Sequence, residues 1–324
     1  MTQTIHETPT QAGAAAGRPG PGGRPVKVRR PHGTRFSDLL SALPWIAPVL
    51  VLIFGVVLFP AGVMFYNSTR DISLSGIDLG PVGFANYETL LFFAPLGGIM
   101  LRTVVWVVAV VTITVLVSLV LAQLLNKAFP GRQLVRLAVI IPWAASVVMT
   151  TLVIYYGLES YIGIINKFLV DTNIMSEPYG WTKNAFSAFN WSIGIAVFVS
   201  LPFTTYTILA GLQTVPGDVL EAAKMDGAGR FRTYFGVILP QLRGAIAVAV
   251  LINIINVFNS LPILKIMTGS IPGYDADTVM TMIFKYIQNE HKIDVASALS
   301  VVAFLIVIVI VAIYVRVVKP MKEV

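Results

Sequence analysis

Cysteine is absent from the 324 residues, and the three histidines (His6, His32, His291) lie far apart. Such a chain builds no disulfide, thiolate nucleophile, iron–sulfur cluster or cysteine-ligated metal, so redox and metal chemistry are poor candidates. Charge is scarce too. Asp, Glu, Lys and Arg make up 12% of the residues and apolar types 56%, against roughly 25% charge in an ordinary soluble domain. Too few polar side chains are present to cover soluble domains of this length, and the surplus apolar area must face lipid. The phosphate-cradling pattern GxxxxGK[ST] is missing; Gly-Lys never occurs. A dinucleotide GxGxxG starts at Gly227-Ala228-Gly229 but has Arg232 in its last place. The chain is therefore expected to have no ATPase of its own. No paired carboxylates or nucleophile–histidine set points to an enzyme of another kind.

What is present is a set of six long stretches free of Asp, Glu, Lys and Arg: Leu39 to Thr69, Thr103 to Asn126, Leu137 to Leu158, Asn184 to Gly217, Gly244 to Leu264 and Val295 to Val315, each at least 21 residues long. About 20 helical residues cross a hydrocarbon core of about 30 Å. Each stretch is long enough to span once, and none shows the dyad alternation of an outer-membrane barrel. The expectation is an all-α polytopic membrane protein with spans near 41–66, 104–126, 137–158, 189–212, 244–264 and 295–316. The first run is far longer than a signal-peptide core of 7–15 residues and reads as a retained anchor.

Basic residues set the orientation. Sixteen lie in the N-terminal tail, the 127–136 loop, the 218–243 segment and the C-terminal tail; the other seven lie in the alternate loops, which also hold ten of the 16 acids. By the positive-inside rule both termini are cytoplasmic. The net charge of +7 is then a topology signal. No aromatic residues interleave with the basic tail, which argues against nucleic acid as a partner. Residues 1–37, rich in Gly, Pro and Arg, read as a disordered tail that fixes topology, with contact to anionic headgroups as the alternative. Residues 38–318 form the transmembrane domain and 319–324 a short cytoplasmic tail. Val82 to Phe93 reads as a short helix at the membrane interface. The outer loops Glu159 to Lys183 and Lys265 to Asp294 are long enough for a vestibule or a docking surface.

The segment Pro216 to Arg243 differs from a plain loop. Pro216 suits a first helical position and Asp218 the first turn, which predicts a short helix to Met225. Gly227 and Gly229 permit positive φ, and a second helix resumes over Arg230 to Gly236 before Pro240 opens the next span. The result is a cytoplasmic helix-turn-helix elbow over 217–236. Its residues Glu221-Ala222-Ala223, Gly227, Val237 and Leu239-Pro240 resemble the EAA signature of ABC importer permeases, and EAAKMDGA is similar to the form in carbohydrate importers of the maltose-permease type. PVGFANYETLL (Pro81 to Leu91), LAQLLNKAFPGRQLVRLAVIIPW (Leu121 to Trp143), GIINKFL (Gly163 to Leu169) and AGLQTVP (Ala210 to Pro216) resemble blocks of the same permeases in the same order, so the likeness covers roughly residues 40–318. Two departures stand out. Val237 replaces the usual Ile, and TGSIPG (Thr268 to Gly273) stands where the family usually has Gly-Gly-Pro.

The resemblance implies a type I ABC importer permease fold with six transmembrane helices. It implies that Glu221, Ala222, Ala223, Asp226, Gly227, Leu239 and Pro240 couple the chain to an ATPase. It further implies two ATPase subunits carrying ATP and Mg, a second permease subunit, an extracytoplasmic sugar-binding protein, and a sugar or related polyol as cargo. The rival reading is an ion-gradient-coupled secondary carrier, which commonly places ionisable groups within its spans; the six runs hold none of Asp, Glu, Lys, Arg or His.

A neutral cargo needs hydrogen-bonding side chains and flat apolar faces. At about 100° per residue, Asn253, Asn256, Asn259 and Ser260 fall within an arc of about 120° on one helix face. That face serves either the pathway or hydrogen bonding between helices. In maltose-type permeases sugar contacts lie on this span and the one before the elbow. By resemblance Asn253, Asn256, Ser260, Ser200 and Phe203 are pathway candidates, with Phe203 stacking on a sugar face or simply packing in lipid.

Overall fold

A computed structural model describes residues 36–318. The tail expected over residues 1–37 lies outside the described residues except for Phe36 and Ser37, which already belong to a helix; the tail at 319–324 lies outside them entirely. The chain divides into two compact units, residues 1–57 and 58–324. The described part of the first consists of helix α1 (Phe36–Leu52), which contains Pro44 and Pro48, and the start of a π-helical segment over Ile53–Leu58.

The second unit is built almost wholly from helices. In chain order these are α2 (Phe59–Asn67), α3 (Ala85–Leu91), α4 (Leu96–Asn126), α5 (Arg132–Ala144), α6 (Val147–Gly157), α7 (Ile164–Asp171), α8 (Ala185–Gln213), α9 (Gly217–Met225), α10 (Arg230–Thr233), α11 (Leu239–Gln241), α12 (Arg243–Phe258), α13 (Pro262–Thr268), α14 (Val279–Gln288) and α15 (Ile293–Val318). Among the described residues four continuous helices are long and apolar enough to cross a membrane: Leu43–Asn67, Leu96–Asn126, Ala185–Gln213 and Ile293–Val318. The described residues reach six spans when two bent pairs each count once, α5 with α6 at 96° and Arg230–Gln241 with α12 at 66°.

The first bend falls inside 137–158, which the sequence suggests as one straight span; the second, between Gln241 and Arg243, precedes the expected span 244–264. Pro142 withdraws an N–H from the last turn of α5. Ala145 and Ser146 then take extended ψ values of 144° and 131°, and α6 leaves at a new angle. In the fifth run α12 stops at Phe258 and a new helix starts with Pro262 among its first residues, so 244–264 is not one helix. α4, by contrast, starts earlier than its uncharged run and takes in Arg102. That guanidinium is satisfied, because its Nε and Nη2 donate to the carbonyls of Asp277 (3.1 Å) and Tyr274 (2.7 Å).

α4, α8 and α12 enclose the core. Trp106 and Val110 of α4 meet Phe189 and Ile195 of α8, Val257 of α12 and Met267 of α13, and the Trp106 indole N–H donates to the Val257 carbonyl at 2.9 Å. Thr205 and Ser118 are joined by a buried hydroxyl bond of 3.1 Å between α8 and α4. With lipid tails as apolar as leucine, such close packing and hydrogen bonding hold spans together.

The connections outside the spans are ordered by side chains. Within Val82 to Phe93, where a short helix was expected, α3 covers Ala85–Leu91. A two-stranded antiparallel hairpin, β1 (Arg70–Ile72) and β2 (Asp78–Pro81), precedes it. The Asp78 carboxyl, bound by Arg70 at 2.8–3.0 Å, is held below the usual carboxylate range chiefly by that hydrogen bond. In the second loop the buried Asn166 amide donates to the carbonyls of Glu159 and Tyr179 and accepts from Tyr179 N and the Trp181 indole. The last loop, where TGSIPG stands, turns at Gly273 with φ +73°. It is locked by the Lys285–Asp277 ion pair at 2.6 Å and a Thr278–Thr281 capping box.

Candidate functional site

Two places gather the residues singled out in the sequence. The first is the elbow. Pro216, with ψ 138°, starts α9, and Asp218 occupies its first turn. The helix ends in a Schellman arrangement: Ala228 N bonds Ala223 O and Gly227 N bonds Lys224 O, both at 3.0 Å. Gly227 sits at φ +72°, the left-handed conformation that closes such a cap. Gly229 does not share that role; at φ −66° and ψ 166° it is extended and starts α10.

The second limb is longer than expected. α10 runs into a π-helical turn, Tyr234–Ile238, and on into α11. Pro240, which can offer no N–H and crowds the carbonyl four residues back, follows that wide turn directly. A π-bulge is one of the ways a helix absorbs such a residue.

Within the elbow Ala223 is buried, Glu221, Ala222, Asp226 and Gly227 are exposed, and Leu239 and Pro240 are half-buried at its root. Two apolar side chains project beside the signature residues: Met225 is 88% and Phe231 84% exposed. The sequence reading passed over both, although each sits next to a motif residue or the turn. The limbs are clamped where they leave the spans. Gly211 of α8 lies so near α12 that a Cβ there would meet Ala245 Cβ at 2.6 Å and Leu242 Cδ2 at 3.2 Å. The capped α9 is thus set on two limbs whose parent spans are in close contact.

The second place is a cavity of about 350 Å³ between α5–α6, α8, α12 and the start of α13. Ser200, Phe203, Asn253, Asn256 and Ser260 all line it. Asn259 does not; it caps α12 and its amide donates to Ile255 O at 2.7 Å. Helical spacing alone grouped it with the others, but the helix has ended at that point.

The four polar residues of the cavity differ in how far their hydrogen bonds are already used. Asn253 is 3% exposed, and its Nδ2 donates to Thr204 Oγ1 at 2.7 Å and Ala249 O at 2.8 Å. It therefore ties α12 to α8 and keeps only its carbonyl oxygen for a ligand. Among the described residues no side-chain hydrogen bond is formed by Asn256, Ser200 or Ser260. Trp143 and Val147 complete the wall from the two sides of the α5–α6 bend, and the sequence reading missed them. Pro142 before Trp143 was a partial signal only: a proline inside an apolar run permits a turn of the backbone but does not require one, as Pro202 within the unbroken α8 shows. None of the lining residues is charged.

The carboxylates at the span edges have structural duties. Glu159 Oε2 accepts from Tyr161 N (2.6 Å) and Ile162 N (3.1 Å), which holds its carboxyl below the usual range. Asp294 Oδ1 accepts from Val295 N in the first turn of α15.

A family model described as "Binding-protein-dependent transport system inner membrane component" matches residues 114–322. A curated Brucella suis biovar 1 protein named "Probable ABC transporter permease protein" is 33% identical over 272 residues, covering 84% of this chain and 94% of that one. The trehalose/maltose transport system permease protein MalF of Thermococcus litoralis is 28% identical, covering 84% and 91%. Among solved structures, a bacterial ABC transporter involved in the import of the acidic polysaccharide alginate superposes with a TM-score of 0.74 at 19% identity, covering 88% of this chain and 96% of that one. The fold is that of a type I ABC importer permease, and an ion-gradient-coupled carrier is set aside. With the family match extending over more than half its length, the chain belongs to the inner-membrane components of binding-protein-dependent transport systems.

Proposed function

We propose that the chain forms half of the pathway of an ATP-driven importer for a neutral sugar or polyol, with ATP and Mg bound by two separate ATPase subunits. A second permease subunit completes the pathway, and an extracytoplasmic binding protein delivers cargo to the outer loops. The elbow side, which carries most of the basic residues, faces the cytoplasm. The observation that carries the cargo class is the uncharged cavity, in which Asn256, Ser200 and Ser260 have hydrogen-bonding capacity to spare beside Phe203 and Trp143. A polyhydroxylated ligand satisfies such groups and lays its apolar face on the rings. The name of the trehalose/maltose relative supports the same class.

Coupling is mechanical. Closure of the ATPases pushes α9 and α10 through Glu221, Asp226 and the projecting Met225 and Phe231. The force passes to α8 and α12 at the Gly211–Ala245 contact. These are also two of the helices that line the cavity, so motion of the elbow alters its shape and access.

The two asparagines separate cargo binding from helix packing. Asn256→Ala is expected to reduce sugar affinity by roughly 5- to 10-fold, the loss of about one hydrogen bond, with the amount of assembled transporter unchanged. Asn253→Ala is expected to lower assembly as well, because Thr204 loses its buried partner. Uptake of a panel of radiolabelled neutral sugars, measured beside the yield of assembled complex, checks both. Unchanged uptake in Asn256→Ala returns this face to helix packing.

A further inference from the structure

A cavity of about 1000 Å³ lies away from the pathway, between the C-terminal end of α4 and the second limb of the elbow. Its two walls change character in the same direction. On α4 the lining residues are Leu119, Val120, Gln123 and Leu124, followed by its C-cap residue Lys127, one stripe about 12 Å long at 1.5 Å per residue. That stripe is apolar toward the middle of the span and cationic at its end. On the facing limb Ile238, Phe235, Tyr234 and Phe231 supply apolar and aromatic side chains, and Arg230 at its start, with Lys224 of α9, supplies cations.

Two further observations point to a ligand. Lys127, Lys224 and Arg230 form no ion pair among the described residues. The Gln123 side chain lines the cavity, and its Nε2 is buried without a hydrogen-bond partner, an unfavourable state unless something fills it.

We propose that this cavity is a binding site for an anionic phospholipid of the leaflet on the elbow side. The acyl chains lie along Leu119, Leu124, Tyr234 and Phe235. The phosphate meets Lys127, Lys224 and Arg230, and the Gln123 amide donates to an ester oxygen. The occupant is a lipid, not free phosphate, because most of the lining is apolar and continuous with a membrane-spanning face. Since one wall belongs to the elbow, occupancy links lipid composition to the position of the elbow. This assignment does not depend on the identity of the cargo.

The test uses the assembled transporter, stripped of lipid and re-equilibrated with vesicles of phosphatidylglycerol or phosphatidylcholine, with retained lipid counted by native mass spectrometry. The expected result is at least about fivefold preferential retention of phosphatidylglycerol. That preference should be lost in Lys127→Gln/Arg230→Gln, and retention of either lipid should fall in Leu124→Trp, which fills the wall and leaves the cations in place. Inorganic phosphate added at equal concentration should not displace the lipid. A photo-crosslinker at Phe235 should capture lipid in the same complex. Equal retention of the two lipids, retention unaffected in Leu124→Trp, or capture of the ATPase or partner permease subunit by the crosslinker would overturn the proposal.

Discussion

Replacing Gly227 with valine is expected to lower both ATPase-subunit association and uptake by roughly tenfold. The cause is backbone conformation, not crowding. A Cβ added at Gly227 meets nothing within 4 Å, yet the residue sits at φ +72°. An L-residue pays about 1–2 kcal/mol for the left-handed region, and a β-branched side chain sits at the upper end of that range. A cost of that size corresponds to roughly a 5- to 30-fold shift. The Schellman bonds from Ala228 and Gly227 would open, and α10 would leave α9 at a different angle. Gly227→Asn, which tolerates positive φ, should retain most of the activity. Co-purification of the ATPase subunits measured beside uptake checks the pair. Intact association in Gly227→Val would show that the elbow conformation is not what the ATPase reads.

The second large effect is expected at Gly211, where the reason is crowding. Even alanine would bring its Cβ to 2.6 Å from that of Ala245, so leucine must separate α8 from α12. Overpacking of this kind costs about 1–3 kcal/mol or more, enough to lower the melting temperature of the solubilised protein by roughly 5 °C. Because the same contact joins the two limbs of the elbow, uptake should fall further than stability does. Pairing Gly211→Ala with Ala245→Gly exchanges the two methyl positions and should restore both. Thermal unfolding and uptake, measured on the single and double variants, check this; failure of the double variant to recover would show that the contact is not the cause.

Much of this structure could be read from the order of the residues, for reasons that differ from place to place. The uncharged runs gave the spans because a buried unpaired charge is costly in lipid, a constraint that needs no tertiary knowledge. The breaks at Ala145–Ser146 and Asn259–Leu261 were not legible, since a proline inside an apolar run is compatible with a kink, a break or an uninterrupted span. Neighbouring helices decide among these.

Gly227 and Gly229 looked alike in sequence, and only the cap geometry separates them, one left-handed and the other extended. The asparagine face shows the same limit. Helical spacing placed Asn253, Asn256 and Asn259 together, but it cannot tell that Thr204 stands opposite Asn253 or that the helix ends before Asn259. The hairpin of β1 and β2 went unseen because its strands are three and four residues long and carry no alternating apolar pattern.

Uptake into proteoliposomes tests the central claim most directly. The chain is reconstituted with its permease partner, with and without the ATPase subunits. Radiolabelled neutral mono- and disaccharides are supplied with a binding protein, and either ATP or an imposed proton or sodium gradient provides the energy. The expected result is sugar accumulation that requires ATP, the ATPase subunits and the binding protein together, and that neither gradient replaces. Accumulation driven by an ion gradient in vesicles lacking the ATPase subunits would contradict it.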